Sequence, residues 1–452
     1  MFSRILIANR GEVALRILRT CREMGIKTVL AHSAADRNSL SARFADQTVC
    51  IGPAQASDSY LNIPSVISAA EINNVDAIHP GYGFLAENAD FAEVCEASNI
   101  RFIGPTARVM RRLCDKVEAR NLARSLRIPV APGSDGPVST ESEALSVAAS
   151  LGYPVILKSC CGGGGRGLRV AHNDIALRNA LSLARNEIAN SFGGAGCYIE
   201  KCLQNARHIE VQLLGDSHGN LVHMGERECS IQRRHQKLIE ETPATGINPD
   251  LTQALYSAAL KLAKAAGYSG AGTVEFIADR NGNFYFIEMN ARLQVEHTIT
   301  EMVTGVDLVR EQIRIAAGEK LSFVQKELRR RGAAIECRIN AEDPGAGFRA
   351  SAGTVTSFIP PGGRNVRVDT HVCSGCVVPP HYDSLLAKIV AWGGSRSEAI
   401  TTMNRALAET VVEGVPTTIP LYREILRHAR FIEGLIDTNF VDSLVAAGGG
   451  MR

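Results

Sequence analysis

The sequence predicts an α/β protein that begins with a parallel sheet and continues into a strand-rich α+β region. Over the first hundred residues, short β-rich runs alternate with helical patterns, and strands interleaved with helices usually form parallel, two-faced sheets. Beyond residue 204 the pattern changes to paired strands separated by turn residues. A chain of 452 residues exceeds one ordinary core, so we expect two or three domains.

The predicted N-terminal sheet has five β-rich runs, which are RILIA (4–8), KTVLAHS (27–33), QTVCIG (47–52), VDAIHPG (75–81) and IRFIGP (100–105). The stretch GEVALRILRTCREMG (11–25) repeats apolar residues at helical spacing and predicts the first helix. The turn before this helix, ANRGEVA, lacks the pattern GxGxxG. Dinucleotide binding is therefore disfavoured despite the Rossmann-like order of elements.

The middle of the chain predicts a helix followed by a small separate unit. The charged amphipathic stretch MRRLCDKVEARNLARSLRI (110–128) predicts a single helix, and PVAPGSDGPVST (129–140) is typical of a connector. The unit that follows (153–203) contains four consecutive glycines, from 162 to 165. Glycine lets backbone N–H groups approach an anion, so this loop predicts a mobile flap over a phosphate chain. A hairpin tip without a ligand is the alternative, and no Gly-Lys-[Ser/Thr] follows to make a Walker loop.

Two hairpins predict an antiparallel sheet in the second half of the chain. The first, RHIEVQLLGDSHGNLVHMGERE (207–228), turns at DSHGN. The second, GTVEFIADRNGNFYFIEMN (272–290), turns at 279–283 and would place Glu275 beside Glu288 on neighbouring strands. Further strands are predicted at 333–340 and between 353 and 390, and closing helices near 395–409 and 419–430.

A row of polar groups follows the second hairpin. From 287 to 295 the odd-numbered residues are apolar, whereas the even-numbered residues to 296 are Glu288, Asn290, Arg292, Gln294 and Glu296. On a strand, these five would share one face. With Glu275, the carboxylate of Glu288 forms a hard-oxygen site that suits Mg²⁺. Arg292 could hold a small anion by its fork of N–H groups, with Glu296 beyond it as a base. The alternative is the solvated outer face of an antiparallel strand.

Composition excludes several classes of protein. The formal net charge of +2 provides no basic field for nucleic acid, and no apolar run approaches the roughly 18 residues of a membrane span. The N-terminus is a poor signal peptide. Twelve cysteines scattered through a long chain indicate reduced thiols in a cytoplasm. Cys373 and Cys376 form a CxxC without a second ligand pair nearby, so ordinary thiols are expected and a redox or metal role stays open. For Cys160 and Cys161 a redox role stays open.

Ten ordered motifs together match one family. They are ILIANRGEVALRI (5–17), AIHPGYGFLAEN (77–88), FIGP (102–105), CDK (114–116), GGGGRG (162–167), IEKCLQNARHIEVQ (199–212), ERECSIQRRHQKLIEE (226–241), EMNARLQVEH (288–297), ECRINAEDP (336–344) and YDSLLAKIV (382–390). Through them the chain resembles biotin carboxylase, the ATP-grasp component of biotin-dependent carboxylases, over essentially its whole length.

The resemblance implies three domains and a two-step reaction. An N-terminal Rossmann-like (pre-ATP-grasp) domain is expected at 1–114, an ATP-grasp domain with a mobile lid (about 131–203) at 115–330, and a C-terminal biotin carboxylase domain at 331–446. ATP and bicarbonate would give carboxyphosphate and ADP, and the carboxyl group would then pass to N1′ of biotin. These expectations come from the resemblance and not from composition or spacing.

The matched positions imply site residues. ATP would be bound by Lys116, Lys158, Gly163, Gly164, Gly165, Glu200, Lys201, Leu203, His208, Gln232, His235 and Ile277. Mg²⁺, or Mn²⁺, would be bound by Glu275, Glu288 and Asn290. Bicarbonate would be bound by Arg292, Gln294, Val295 and Glu296, and biotin by Tyr82, Gly83 and Arg338. The implied catalytic residues are Glu296 as the base, Arg292, Lys237 on the transferring phosphoryl group, and Arg338 beside the biotin enolate.

The resemblance also implies partners. No Ala-Met-Lys-Met biotin attachment sequence and no carboxyltransferase segment is found, so a separate biotin carboxyl carrier protein and carboxyltransferase subunits are expected, with no nucleic acid or membrane partner. Acetyl-CoA carboxylase in fatty acid synthesis is the expected parent enzyme, and another acyl-CoA or pyruvate carboxylase is the alternative. A cytoplasmic homodimer is expected, with Arg19 and Glu23 at its interface. Thr298 and Ala352 replace prolines common in the family.

Two other functions remain alternatives from the sequence. An ATP-grasp enzyme with a different acceptor would be a carbamoyl-phosphate-forming or a carboxylate–amine ligase. The presence of Arg338 and the spacing from Arg292 to Glu296 argue against it. A nucleotide-binding protein without turnover is disfavoured because the charged set that includes Glu275 and Glu288 is intact.

Overall fold

The N-terminal region is built on a parallel sheet, as predicted. A computed structural model describes residues 1–160, 168–189 and 196–448. The strands of this sheet are β1 (Arg4–Ile7), β2 (Lys27–Ser33), β3 (Gln47–Gly52), β4 (Ala77–His79) and β5 (Arg101–Phe102). They are ordered β3-β2-β1-β4-β5, and every neighbouring pair is parallel. The helices around them are α1 (Gly11–Glu23), α2 (Leu40–Phe44), α3 (Ile63–Ile72), α4 (Ala89–Ala97) and α5 (Ala107–Cys114).

The single helix predicted at 110–128 is wrong, because two helices occupy this stretch. The first is α5, and the second is α6 (Lys116–Ser125). Asp115 between them has an extended backbone, and its carboxylate accepts the N–H groups of Val117 and Glu118 at 2.8 and 3.0 Å. Such an N-cap starts a new helix. The break places Lys116 in the first turn of α6.

The small unit in the middle of the chain is a three-stranded antiparallel sheet with two helices. Its elements are α7 (Glu141–Leu151), β6 (Val155–Ser159), β7 (Arg169–Ala171), α8 (Asp174–Ala189) and β8 (Cys197–Lys201). The strands are ordered β7-β6-β8, and small apolar residues of both helices pack on β6. The predicted phosphate flap, with Gly163, Gly164 and Gly165, lies outside the described residues.

The second half of the chain is organised by one long antiparallel sheet. Its strands in chain order begin with β9 (Arg207–Gly215), β10 (Leu221–Arg233), β11 (Gln236–Thr242), β12 (Gly270–Ala278), β13 (Phe284–Asn290) and β14 (Ala333–Asn340). The strands that follow are β15 (Glu342–Asp343), β16 (Arg349–Ala350), β17 (Gly353–Thr354), β18 (Ser357–Ile359), β19 (Val366–Thr370), β20 (Val377–Val378), β21 (Leu385–Gly393) and β22 (Val411–Glu413). The long sheet has the order β13-β12-β9-β10-β11-β14-β21-β19, and the remaining strands form three two-stranded ribbons. Both predicted hairpins are confirmed, as β9–β10 and β12–β13.

Helices cover the long sheet. They are α9 (Pro249–Ala266), α10 (His297–Thr304), α11 (Leu308–Ala316), α12 (Arg396–Glu409), α13 (Ile419–Ile425), α14 (Ala429–Ile432) and α15 (Phe440–Ala446). The helix predicted near 419–430 is divided between α13 and α14. Apolar faces of α9 and α12 pack on opposite halves of the sheet and form the two largest cores. Among the described residues, no helix has both the length and the apolar character needed to cross a bilayer.

The polar row beginning at Glu288 is only partly a strand, which corrects the prediction for 287–295. β13 ends at Asn290, and residues 291–296 form an irregular segment that leads into α10. The N–H group of Ala291 donates to Glu87 of the N-terminal region at 3.0 Å, so it does not continue the ladder. Ala291 and Leu293 are nonetheless fully buried. The segment bends at Arg292 and turns at 295–296, and Gln294 and Glu296 are buried together with Leu293, so the alternation of polarity does not separate a buried face from an exposed one here.

Candidate active site

Charged side chains from neighbouring strands converge on one face of the long sheet. Glu275 on β12 lies directly opposite Glu288 on β13 and Glu210 on β9. Directly paired residues of antiparallel strands point to the same face, so their carboxylates approach each other. Lys237 on β11 and Arg338 on β14 extend the row toward the C-terminal strands.

Lys237 lies at the centre of the cluster. Its ammonium donates to Glu210 at 2.6 Å, to Glu275 at 2.9 Å and to Glu296 at 2.6 Å. Burial opposes the charge, but these three carboxylates raise the pKa of Lys237 well above its usual value. Lys237 is therefore a fixed positive charge at any physiological pH.

Two carboxylates and an amide form a set of hard-oxygen donors. Glu275 accepts from Asn290 Nδ2 at 2.8 Å and lies 2.9 Å from His208 Nε2. Burial acts to raise the pKa of Glu275, yet Lys237 and His208 hold it far below its usual range. Glu288 is half-buried and pairs with Lys116 at 3.0 Å. Both carboxylates are thus paired with protein cations beside an amide oxygen, a donor set that fits Mg²⁺.

Arg292 is fixed on three sides. Its Nε donates to Glu87 at 2.8 Å, and its terminal nitrogens donate to Asn290 Oδ1 at 3.0 Å and Gln294 Oε1 at 2.8 Å. Gln294 in turn donates to Glu275 at 2.9 Å. The guanidinium is therefore held in one orientation between the hard-oxygen donors and the segment that carries Glu296.

Glu296 is fully buried between two cations, immediately before α10. Its carboxylate accepts from Lys237 at 2.6 Å and from Arg338 at 2.8 Å. Burial alone would raise the pKa of Glu296, but the charges of Lys237, Arg338 and Arg227 lower it well below its usual value. The group is consequently an ionised proton acceptor throughout the neutral range.

The small unit contributes a second charged cluster. Lys158 on β6 pairs with Glu200 on β8 at 2.5 Å, and Arg120 of α6 reaches the other oxygen of Glu200 at 3.1 Å. The Lys201 ammonium instead donates to the carbonyl groups of Gly152 and Tyr153 at 2.9 and 3.1 Å. Glu200 therefore ties the small unit to α6, at the strand that leads back to the long sheet.

The remaining predicted nucleotide residues surround these two clusters. Gln232 on β10 is buried, and Leu203 and Ile277 are half-buried. His235 is exposed at the β10–β11 turn, where its φ of +65° is in the left-handed region. Except for the glycines outside the described residues, the predicted nucleotide residues lie on the small unit, on α6 and on the adjoining strands.

A third chain of contacts joins Tyr82 to the segment before α10. The Tyr82 hydroxyl donates to Glu12, which pairs with Lys388 at 3.0 Å. Lys388 on β21 is fully buried and also donates to the Val295 carbonyl at 2.8 Å. Gly83 beside Tyr82 is exposed. The buried ammonium of Lys388 thus fixes the backbone at Val295, the residue before Glu296.

Sequence reasoning missed the residues that hold the site together. They are Glu12, Glu87, Arg120, Glu210, Arg227, Glu240 and Lys388. Arg227 is an example. It has no exposed surface, donates to Glu210 at 2.5 Å and to Gln212 at 2.7 Å, and shares Glu210 with Lys237. One feature of the sequence could have indicated such residues, namely a single charged residue within an apolar run, as at Lys388 in LLAKIVAW. A charge in a buried strand must be paired with an opposite charge, so this pattern predicts an ion pair.

The same three-part organisation is found in known proteins. The family model "Biotin carboxylase, N-terminal domain" matches residues 1–110, "Carbamoyl-phosphate synthase L chain, ATP binding domain" matches 115–324 and "Biotin carboxylase C-terminal domain" matches 336–443. A curated relative, "Biotin carboxylase" of Nostoc sp., is 51% identical over 443 residues, which are 98% of this chain and 99% of the relative. The chain belongs to the biotin carboxylase family. It is accordingly an ATP-dependent ligase, and the fold and family predicted from its motifs are confirmed.

Members of the biotin carboxylase family serve different parent enzymes. A pyruvate carboxylase subunit of Methanothermobacter thermautotrophicus is 50% identical over 98% of this chain and 90% of the relative. The solved biotin carboxylase domain dimer of the Hydrogenobacter thermophilus 2-oxoglutarate carboxylase, in complex with MgADP, ADP and bicarbonate, is 44% identical with a TM-score of 0.95. That match covers 98% of both chains. Family membership therefore leaves the acyl acceptor open.

Proposed function

We propose that this biotin carboxylase uses ATP and bicarbonate to carboxylate biotin on a separate carrier protein, as the first half-reaction of an acetyl-CoA carboxylase in fatty acid synthesis. The observation that carries the proposal is the buried, ionised Glu296 between Lys237 and Arg338, next to the fixed guanidinium of Arg292. The same type of chain serving another acyl-CoA or pyruvate carboxylase is the second candidate, favoured by the Methanothermobacter relative that belongs to a pyruvate carboxylase.

Bicarbonate would be held by Arg292, Gln294 and Val295, with its hydroxyl directed at Glu296. Glu296 takes the bicarbonate proton, and the resulting carbonate oxygen bonds to the γ-phosphorus of ATP as the bond to ADP breaks. Carboxyphosphate and ADP are the products of this step. Positioning and charge neutralisation supply most of the catalysis in phosphoryl transfer, and Lys237 is a fixed cation within reach of these groups.

ATP would be bound by cations that the structure shows neutralised by carboxylates. Lys116 and Lys158 would exchange Glu288 and Glu200 for the phosphates, with Gly163, Gly164 and Gly165 proposed as their cover. The adenine and ribose would be bound by Glu200, Lys201, Leu203, His208, Gln232, His235 and Ile277. Glu275 and Glu288, with Asn290, would hold Mg²⁺ or Mn²⁺, and the metal would supply neutralising charge to the phosphates.

Biotin would enter beside Tyr82, Gly83 and Arg338. The guanidinium of Arg338 lies 2.8 Å from Glu296, so a positive charge is available where the ureido oxygen of biotin becomes an enolate. In the overall reaction, ATP, bicarbonate and biotin give ADP, phosphate and carboxybiotin. The domain limits at 114–115 and 330–331 and the lid at about 131–203 are part of the same proposal.

The expected partners follow from a reaction on carried biotin. A biotin carboxyl carrier protein and carboxyltransferase subunits would complete the enzyme in the cytoplasm. A homodimer is proposed with Arg19 and Glu23, which are exposed on α1, at its interface. Pull-down with the tagged full chain, followed by detection of biotinylated protein, would identify the carrier and with it the parent carboxylase.

The activity is tested by measuring ADP release from ATP and Mg²⁺ with and without bicarbonate and free biotin. We expect hydrolysis to require bicarbonate and to increase with biotin. An acceptor screen with ammonia and simple amines provides the contrast. Turnover that needs ammonia or an amine in place of biotin would support a carbamoyl-phosphate-forming or carboxylate–amine ligase and contradict the proposal.

Glu87→Gln is expected to raise the KM for bicarbonate about tenfold with little change in kcat, because a charge-assisted hydrogen bond of ~1.5 kcal/mol or more no longer fixes Arg292. The measurement is bicarbonate-dependent ADP release. Asp90→Asn is the matched control, since Asp90 is exposed and pairs only with Arg111 at 3.0 Å among the contacts described for it. An unchanged KM in Glu87→Gln would show that Arg292 is oriented without Glu87.

A further inference from the structure

Two fully buried carboxylates face each other on neighbouring strands beside Arg338. Glu240 on β11 and Glu336 on β14 are directly opposite in the antiparallel register, and neither has exposed surface. Residues in such a pair lie on the same face with their Cβ atoms about 5 Å apart. Two negative charges at that separation without water are strongly unfavourable, so the pair must be compensated by cations or by a proton.

The cations around this pair are already shared with other carboxylates. Arg338 contacts Glu240 and also Glu296, and Lys388 contacts Glu12. The charged groups facing the pair are Lys237 on β11, Arg338 on β14, Lys388 on β21 and Glu296 before α10, and the buried thiols and phenol nearby are those of Cys229, Cys337 and Tyr422. Arg338 therefore acts on three carboxylates, those of Glu240, Glu296 and Glu336, while Lys388 acts on Glu336 and Lys237 on Glu240.

The hydrogen bonds of Glu336 also indicate a proton on this pair of carboxyl groups. One oxygen of Glu336 accepts the hydroxyl of Thr298, and the other has no hydrogen-bond partner in the described part of the chain. Both oxygens of Glu240 also lack a hydrogen bond in that same part of the chain, so a proton on one carboxyl group of the pair would make it a donor to the other. Burial raises the pKa of both carboxyl groups, that of Glu240 to about 7 and that of Glu336 to about 8. The charge of Glu240 adds to the rise in the pKa of Glu336, and Arg338 acts in the opposite direction on both groups.

We propose that Glu240 is a positioning residue for Arg338, and that Glu336 supports it by sharing a single proton with it, so that the guanidinium is held between Glu240 and Glu296. This inference rests on the proposed roles of Arg338 and Glu296. With one proton the pair has a single negative charge, and Arg338 bridges it to the base. Without that proton the pair carries two charges and draws Arg338 away from Glu296 and from the biotin site.

The biotin-dependent step should therefore weaken at alkaline pH more than the bicarbonate-dependent hydrolysis of ATP without biotin. Glu240→Gln is expected to lower kcat/KM for free biotin about tenfold, because the ion pair with Arg338 is lost, with biotin-independent hydrolysis within about twofold. Glu336→Gln cannot lose a proton and should remove the alkaline decline. Both rates are measured from pH 6.5 to 9.5.

Glu241→Gln is the matched control. Glu241 follows Glu240 on β11 but lies on the opposite face, buried and bound by Arg396 at 2.6 and 3.2 Å. It should change Tm without altering the ratio of the two rates. If Glu240→Gln and Glu241→Gln alter both rates equally, or if Glu336→Gln keeps the alkaline decline of the unchanged protein, the inference is overturned.

A stability measurement separates this inference from the proposed function. A buried carboxyl whose pKa is raised keeps its proton when the unfolded chain has lost it, so folding becomes less favourable as pH rises from about 5 through 8. The Tm of Glu336→Gln minus that of the unchanged protein should increase over this interval and level off above it. A difference independent of pH would disprove the shared proton, whatever the activity. Absence of bicarbonate-dependent hydrolysis in the unchanged protein would instead contradict the proposed function.

Discussion

Lys237→Gln is expected to reduce bicarbonate-dependent ATP turnover about a thousandfold and to lower the free energy of unfolding by about 3–5 kcal/mol. The ammonium is the common partner of Glu210, Glu275 and Glu296, and the three contacts are all under 3 Å. Glutamine is uncharged and one bond shorter, so three buried carboxylates lose their shared cation. Activity and stability should therefore decline together, as measured by ADP release and by Tm.

Two further variants separate charge from shape at this position. Lys237→Gln combined with Glu210→Gln removes one of the stranded charges and should recover part of the stability but none of the activity, because the cation is still missing. Lys27→Gln is the control, since Lys27 pairs with Asp46 at 3.2 Å on the surface and should change neither quantity. If Lys237→Gln kept its Tm and lost less than tenfold in rate, Lys237 would not be the electrostatic centre of the site.

The predicted pairing of Glu275 with Glu288 is confirmed, but the short turn alone does not determine it. The turn at 279–283 is closed by Asp279, which accepts the N–H groups of Asn281 and Asn283 at 2.9 Å. Counting back from this turn gives the pairs from Ala278–Phe284 to Phe276–Phe286 and would place Glu275 opposite Ile287, but a β-bulge between Glu275 and Phe276 moves Glu275 opposite Glu288. The hairpin could therefore be predicted from local sequence, whereas the bulge that brings its two carboxylates together could not be deduced by counting from the turn.

The second half of the polar row was mispredicted for a physical reason. Alternating polarity predicts a strand with one buried face, but residues 291–296 include a bend and a turn, and Gln294 and Glu296 are buried as well as Leu293. The N–H group of Ala291 donates to Glu87, and the carbonyl of Val295 accepts from the ammonium of Lys388. Both partners are distant in sequence and belong to other elements. Contacts of this kind depend on the assembled fold, so no window of the sequence contains them.

The break at Asp115 was available from the sequence and was overlooked. An Asp followed by Glu three residues later is a signature of a helix N-terminus, and Glu118 stands at that position. The single helix was predicted because the amphipathic periodicity runs almost unbroken through both helices, and the N-cap at Asp115 was given less weight. Lys388, by contrast, gave only the general signal of a buried charge, and its partners Glu12 and Val295 could not be deduced from it.

Glu296→Gln is expected to lower kcat for bicarbonate-dependent ATP hydrolysis by about 10²–10⁴ and to abolish its response to biotin, while the affinity for ATP changes little. Glutamine preserves volume but accepts no proton from bicarbonate. Glu301→Gln in the helix that follows is the matched control, because Glu301 is buried and pairs with Arg16 at 2.9 Å and Arg367 at 2.7 Å, so only Tm should change. ATP hydrolysis at the unaltered rate in Glu296→Gln, with the same biotin response, would remove Glu296 as the base.

The pH dependence of this base follows from its neighbours. Because cations hold its pKa well below the usual value, Glu296 is ionised at every pH above about 5, and it should produce no acidic decline of kcat in the neutral range. The same low pKa makes it a weak base, and Lys237 contributes most to lowering it. Phosphates that attract Lys237 away from Glu296 would raise its basicity when ATP is bound, so that proton transfer is coupled to the presence of the phosphoryl donor. A decline of kcat below pH 6 that appears in Lys237→Gln and is absent from the unchanged protein would demonstrate this coupling.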